Sequence, residues 1–152
     1  SKIDMLLHSA VHLFSDGDFE NGIRDLSDIA CMVNEFSSAE TFWIDLEQRA
    51  VELGLIEPIF YALRYARYFL DMKVPNNVLD TLQLKANCGN MKLQVMDWLF
   101  KRGLLPNHES CTDTFSSTAM FVLFVRSHYL RMPMTMLLPH LLRKAIHKEE
   151  GA

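Results

Sequence analysis

Apolar residues recur three and four positions apart along almost the whole chain, the period of helices buried on one side. Ile3, Leu6, Leu7, Ala10, Leu13 and Phe14 form the first such stripe, and Ser15-Asp-Gly-Asp18 breaks it with turn-forming residues. A second stripe, Ile23, Leu26, Ile29, Ala30 and Val33, ends near Phe36. Ser37 stands three residues before Glu40, the spacing of a capping box, so a third helix is predicted to start there. It carries Phe42, Leu46, Ala50 and Leu53, and Gly54 supplies its stop.

A fourth helix starts near Glu57-Pro58, where proline is tolerated in the first turn, and carries Ile59, Phe60, Leu63, Ala66 and Leu70. Val74-Pro75-Asn76-Asn77 ends it and opens a fifth, with Leu79 and Leu82 turned inward. After the break at Cys88-Gly89-Asn90, a sixth helix is expected to face inward with Met91, Val95, Trp98 and Leu99 and to stop at Gly103. Residues 104–116 read as a loop. A seventh helix runs from Phe115 to about Leu130, and an eighth from Pro133 to about His147. No strand-like alternation and no repeat period stands out. The prediction is an all-α fold, one helical bundle of seven to eight helices spanning residues 1–152.

Composition supports a packed domain. The chain has 152 residues, 49% of them hydrophobic and 22% charged, enough to bury a core. The net charge of −4 hides an asymmetry. Residues 1–60 hold 12 acids and 3 bases, a balance of −9, whereas residues 61–152 hold 7 acids and 12 bases, a balance of +5. Two such halves can attract each other, or present one face to a basic partner and the other to an anion. The three cysteines, Cys31, Cys88 and Cys111, show no CxxC spacing, so a reducing cytoplasm is the expected setting. No signal peptide opens the chain. The longest apolar run, Ala119 to Val125, falls well short of the ~20 residues of a membrane span. Ser1 leads straight into an amphipathic pattern, which reads as a piece of a longer protein.

Four groups of polar residues are candidates for chemistry. His8 and His12 share one helix face, but Ser9 stands where a zinc hydrolase needs glutamate and no third ligand has fitting spacing, so no metal site is predicted. Arg24, Asp25 and Asp28 form the most unusual polar group: Asp25 and Asp28 share a face, and Arg24 can pair with Asp28 four residues on. Such a cluster can orient a phosphate or a reacting group, or it can simply complement the positive helix start. Tyr61, Arg64, Tyr65 and Tyr68, with Arg67 beside them, make a cation–aromatic face able to stack a base or hold phosphate; equally, the tyrosines can edge the core while the arginines lie over it. Arg126, His128, Arg131, His140, Arg143, Lys144 and Lys148 make the C-terminal region basic without an aromatic RNA-binding signature. The chain contains no P-loop, GxGxxG or GxSxG motif, and no Gly-Ser followed by an Asp-x-Asp pair.

The segment His12-Leu-Phe-Ser-Asp-Gly-Asp-Phe-Glu-Asn-Gly-Ile-Arg-Asp-Leu-Ser-Asp28 resembles the "HLF-x-DGEF-x-x-GLRDL-x-D" segment of an uncharacterised nucleotidyltransferase-like family. Arg49 to Leu55, Tyr61 to Arg67, Val125 to Pro133 and Leu138 to Lys144 look similar to it as well, in the family's order. Asp18 stands where the family often has Glu, and Ile23 where it has Leu; neither changes the chemistry. The resemblance implies that this chain is the C-terminal helical part of a nucleotidyltransferase and packs on an N-terminal catalytic domain. Divalent magnesium and a nucleoside triphosphate would be bound by the full-length protein, not within this chain, and the fragment alone would not turn over substrate. It further implies Asp25 and Asp28 as catalytic candidates and Arg24, Arg64 and Arg67 as phosphate contacts. The competing reading is a stand-alone protein-interaction or RNA-binding module. On the enzyme reading, Arg24, Asp25 and Asp28 should lie at one rim of the bundle, near an exposed apolar patch where the catalytic domain docks.

Overall fold

The computed structural model describes residues 1–17, 19–106 and 108–131. Among these the chain forms seven helices and no strand: α1 (Lys2–Ser15), α2 (Gly22–Phe36), α3 (Phe42–Glu52), α4 (Ile56–Leu70), α5 (Asn76–Lys85), α6 (Asn90–Gly103) and α7 (Ser116–Arg131). The all-α reading holds. The helix read from Pro133 to His147 lies outside the described residues, as do Asp18, His140, Arg143, Lys144 and Lys148.

Local chemistry sets most boundaries. A capping box does occur, but at Ser1 and Asp4: the Asp4 amide donates to Ser1 Oγ at 3.2 Å and the Ser1 ammonium donates to the Asp4 carboxylate at 3.1 Å. The box predicted at Ser37 and Glu40 is absent. Ser37 instead closes α2 by donating its amide to the Val33 carbonyl. Successive turns then take the backbone donors, with Ala39 N–H bonded to Phe36 O and Phe42 N–H to Ala39 O, so α3 begins only after Thr41. The turn holds two anchors, Phe36 and Phe42, both buried in the core.

α4 is the axis of the bundle. Ile59, Phe60, Tyr61, Ala62, Leu63, Tyr65 and Ala66 are all buried, so almost every side of its middle turns is covered. α1 and α2 pack on it, as do α3 and α5. At its centre Phe14 of α1 stacks on Tyr65, with ring centroids 5.9 Å apart, and Phe100 of α6 sets its edge to Phe14 at 5.1 Å. α6 runs alongside α4 in the same direction, since Glu57 meets Lys92, Arg64 meets Asp97 and Tyr68 meets Lys101. Its inward face is Leu99, Phe100 and Gly103. The expectation for Met91, Val95 and Trp98 fails: all three are exposed, because α6 turns the Phe100 side toward the aromatic cluster.

α7 packs on α6 with Ser116, Ala119, Leu123 and Ser127 buried. Small residues on this face let the chain after α1 approach closely. A Cβ built on Gly17 would sit 2.4 Å from the Ser127 Cβ, and Gly17 itself has φ +75°. Part of the charge asymmetry between the halves is met internally: Glu47–Lys85, Glu57–Lys92, Glu57–Arg126 and Asp16–Arg131 all join an acid of the first half to a base of the second.

Gly17 and Gly54 both have positive φ, but a Cβ on Gly54 would meet open space. Gly54→Ala should therefore cost only the left-handed backbone term, about 1–2 kcal/mol. Gly17→Ala adds the collision with Ser127, for a total of roughly 2–5 kcal/mol. Urea unfolding of the two variants checks the difference; equal losses would show that the α1–α2 link does not press on α7.

Candidate functional site

Several of the residues singled out from sequence fall into two separate depressions that share no described lining residue. The first holds Asp25 and Asp28 of α2 opposite His8, Ser9, His12 and Leu13 of α1, around a volume of about 190 Å³. The histidine rings stand edge to face with centroids 6.4 Å apart, and His12 Nδ1 lies 3.8 Å from the Asp16 carboxylate. Asp25 is half-buried and Asp28 exposed. The i, i+3 spacing has put both carboxylates on one side of α2, facing the i, i+4 histidines of α1. Arg24 does not join them: it is exposed, and the expected pair with Asp28 does not form. Among the described residues of the lining Leu13 alone is apolar, so the expected apolar patch is not found at its wall. Large exposed apolar side chains gather instead on α6 and on α7 with its approach, including Trp98, Phe115, Phe121 and Tyr129.

The second depression, about 490 Å³, is lined by Arg64, Tyr65, Arg67 and Tyr68 of α4, Leu79 of α5 and Lys101 of α6. Arg64 grips Asp97 with two hydrogen bonds, Nε to Oδ1 at 3.0 Å and an Nη to Oδ2 at 2.7 Å. The Tyr65 hydroxyl donates to the same carboxylate at 3.0 Å. Lys101 Nζ lies over the Tyr68 ring, 4.1 Å from its centre, and 3.7 Å from Asp97. Arg67 donates to the neutral Asn76 Oδ1 at 2.7 Å. Half of the four-residue cation–aromatic face foreseen for base stacking is core. Tyr61 and Tyr65 are fully buried, with the Tyr61 hydroxyl 3.7 Å from Cys88 Sγ, and only Tyr68 is open to solvent.

A third depression, about 780 Å³, lies between the α1–α2 link and the facing ends of α6 and α7, with Gly17, Phe19, Glu20, Arg102, Asp113 and Ser116 in its lining. Its charges serve the fold: Arg102 holds Asp113 at 2.8 Å, and Asp113 accepts from the Ser116 hydroxyl and the Phe115 amide at the start of α7.

Sequence reasoning missed two ionic nodes. Burial pushes the Asp97 carboxyl upward, but the hydrogen bonds from Arg64 and Tyr65 outweigh it and hold the group below the usual carboxylate range. Glu57 behaves alike: burial raises it, and Lys92 and Arg126 together bring it below its ordinary value. Arg126 is enclosed at 16% exposure. It donates to the Phe14 carbonyl at 2.7 Å and to Glu57 at 3.0 Å, and lies against the Phe100 and Tyr61 rings. Burial drives the hydroxyls of Tyr61 and Tyr65 strongly upward, so both stay protonated. Nothing in the sequence ties Asp97 to Arg64, 33 positions away; only the alignment of α6 beside α4 brings them together.

Among the described residues no group of three His, Cys, Asp or Glu side chains could hold a metal ion. No helix among the described residues is long and apolar enough to cross a membrane. Residues 1–71 match the model of a family described as uncharacterised nucleotidyltransferase, which relates the chain to nucleotidyltransferases. The match takes in α1 to α4 and stops before the similar-looking segments at Val125 and Leu138. No curated protein and no solved structure matches the chain.

The depressed carboxyls set a pH dependence. Glu57 and Asp97 titrate lower in the folded chain than in the unfolded one, so the unfolded chain binds more protons in the window below their ordinary values. The stability they contribute is complete above about pH 4.5 and is lost as pH falls through their folded values. Glu57→Gln with Asp97→Asn should lower stability at pH 7 by roughly 2–5 kcal/mol and flatten its decline between about pH 5 and 3. Urea midpoints across that range test both effects; an unchanged acid slope would remove these two groups from the account.

Proposed function

We propose that this chain is the helical part of a nucleotidyltransferase, packed against an N-terminal catalytic domain and supplying one wall of its nucleotide and acceptor cleft. One observation carries the reading. The six described residues lining the Asp25–Asp28 groove lie within the segment that matches the nucleotidyltransferase family, whereas the depression at Arg64 and Arg67 and the one at Arg102 and Asp113 both draw on residues beyond it. At about 190 Å³ the groove is below the roughly 300–1,000 Å³ of pockets that enclose a small molecule. A half-site of that size suits a wall completed by a second domain.

In nucleotidyl transfer an acceptor oxygen forms a bond to the α-phosphorus, the bond to pyrophosphate breaks, and the acceptor proton must leave. Magnesium and the triphosphate belong, on this reading, to the N-terminal domain, where they supply charge neutralisation and the transferred group. Asp25, half-buried and on the groove wall, accepts the acceptor's proton. Asp28 accepts a hydrogen bond that orients the acceptor, and the histidines of α1 close the opposite side. Arg24, exposed on the same helix, meets phosphate at the rim.

The alternative, an interaction module without catalysis, draws on the exposed apolar side chains of α6 and α7. Its RNA-binding form loses its main support with the burial of Tyr61 and Tyr65. The test is incorporation of label from α-phosphorus-labelled nucleoside triphosphates, with magnesium, into acceptors of a cell extract by the protein carrying its upstream sequence. Asp25→Asn and Asp28→Asn together should reduce incorporation by about 10²–10⁴-fold, the usual worth of a general base, with an unchanged unfolding midpoint. Full incorporation by this double variant would refute the assignment, and no incorporation by the unaltered protein would favour the interaction module.

A further inference from the structure

We propose that the depression between α4, α5 and α6 is a binding site for the polyphosphate of a small molecule, read by Arg67, Lys101 and Arg64. This inference goes beyond the acceptor wall and does not depend on it, because the two depressions share no described residue.

Charge is the first argument. Arg64, Arg67 and Lys101 line the space, and among the described residues the one carboxylate that pairs with any of them is Asp97. Arg64 is committed to Asp97 by its paired hydrogen bonds, while Lys101 sits at the outer limit of an ion pair and Arg67 meets only the neutral Asn76 amide. Two cations therefore remain weakly compensated around one cavity. The negative partial charges at the ends of α4 and α6, where Arg67 and Lys101 lie, take up part of this excess. Each helix end is worth about half a charge, so roughly one full positive charge is left for a ligand.

Shape and rigidity are the second argument. A volume of about 490 Å³ is within the range of small-molecule pockets. The site floor is already organised. Tyr65 is buried and donates to Asp97, Asp97 fixes the Arg64 fork, and Tyr68 holds Lys101 over its ring. A phosphate entering here finds Arg67 free to trade a neutral partner for an anion, and Lys101 poised over an aromatic face that leaves its remaining protons for phosphate oxygens. Tyr68 is 59% exposed and is the aromatic surface left for any group carried by the phosphate.

Titration calorimetry on the 152-residue chain, at low salt and without divalent metal, tests the proposal with three probes: inorganic triphosphate, ATP and adenosine. Triphosphate and ATP should each bind at one site, and adenosine should not. Arg67→Met and Lys101→Met should each weaken triphosphate binding about tenfold or more, the loss of a charge-assisted contact. Lys2→Met, which removes an exposed charge elsewhere, should leave it unchanged. Equal affinity for ATP and triphosphate identifies free polyphosphate chemistry, and tighter ATP identifies a nucleotide; either supports the site. Absence of binding overturns it, as does an equal loss in Lys2→Met or adenosine binding as well as ATP. Stoichiometric displacement of triphosphate by oligouridylate, with a steep salt dependence, would also overturn it, in favour of a nucleic-acid surface.

Discussion

Covering α4 on nearly every side is the constraint from which the rest of this structure follows. A helix buried that completely must carry apolar residues all round or give each polar group a partner. Its two central tyrosines bring hydroxyls into the core, and these are met by Cys88 and Asp97. Asp97 in turn brings a charge, which Arg64 and Lys101 compensate. In the first turn of α4, Glu57 is matched by Lys92 and Arg126. Every buried side-chain polar atom among the described residues finds a hydrogen-bond partner. The burial of one helix thereby selects ionic partners on α6 and α7.

Arg126 shows how closely the layers are joined. Its guanidinium touches the Phe14 carbonyl near the end of α1, a carboxylate of α4 and the rings of Tyr61 and Phe100. Apolar burial around Phe14, Phe60, Phe100 and the two tyrosines supplies most of the favourable energy, at about 25 cal/mol per Å² of apolar surface. The charges add little net stability relative to an apolar isostere but would be costly to break singly. They act chiefly to fix the register of α6 against α4. The acidic groove stands outside this core, on α1 and α2, so its carboxylates can change without loosening the bundle.

Much of this was legible in the sequence. Heptad-like stripes such as Leu6, Leu7, Ala10, Leu13 and Leu26, Ile29, Ala30, Val33 are the buried faces of α1 and α2. The breaks at Gly54, at Pro75 and at Cys88-Gly89 separate the helices where expected. The false start at Ser37 arose because a serine with an acidic residue three positions on also suits a turn after a helix end. The inward face of α6 was misread because Met91, Val95 and Trp98 keep helical spacing as well as Leu99 and Phe100 do; only the position of the aromatic cluster decides between the two faces. For the candidate site, spacing placed Asp25 and Asp28 on one face of α2, but could not say that α1 would bring His8 and His12 across from them and close a groove. The tyrosines of α4 looked like a binding face because a buried tyrosine and an exposed one leave the same mark in a sequence.

The central claim is that the α1–α2 groove is one wall of a cleft finished by another domain. Its most direct measurement is the alkylation rate of a cysteine placed on that wall, Ser9→Cys, in a background with Cys31 and Cys111 replaced by serine. Ser9 lines the groove and is partly open, whereas the remaining native thiol, Cys88, is buried. The rate should fall about tenfold or more when the chain carries its upstream domain, and fall again when nucleoside triphosphate is added. Equal rates with and without a folded upstream domain would contradict the account.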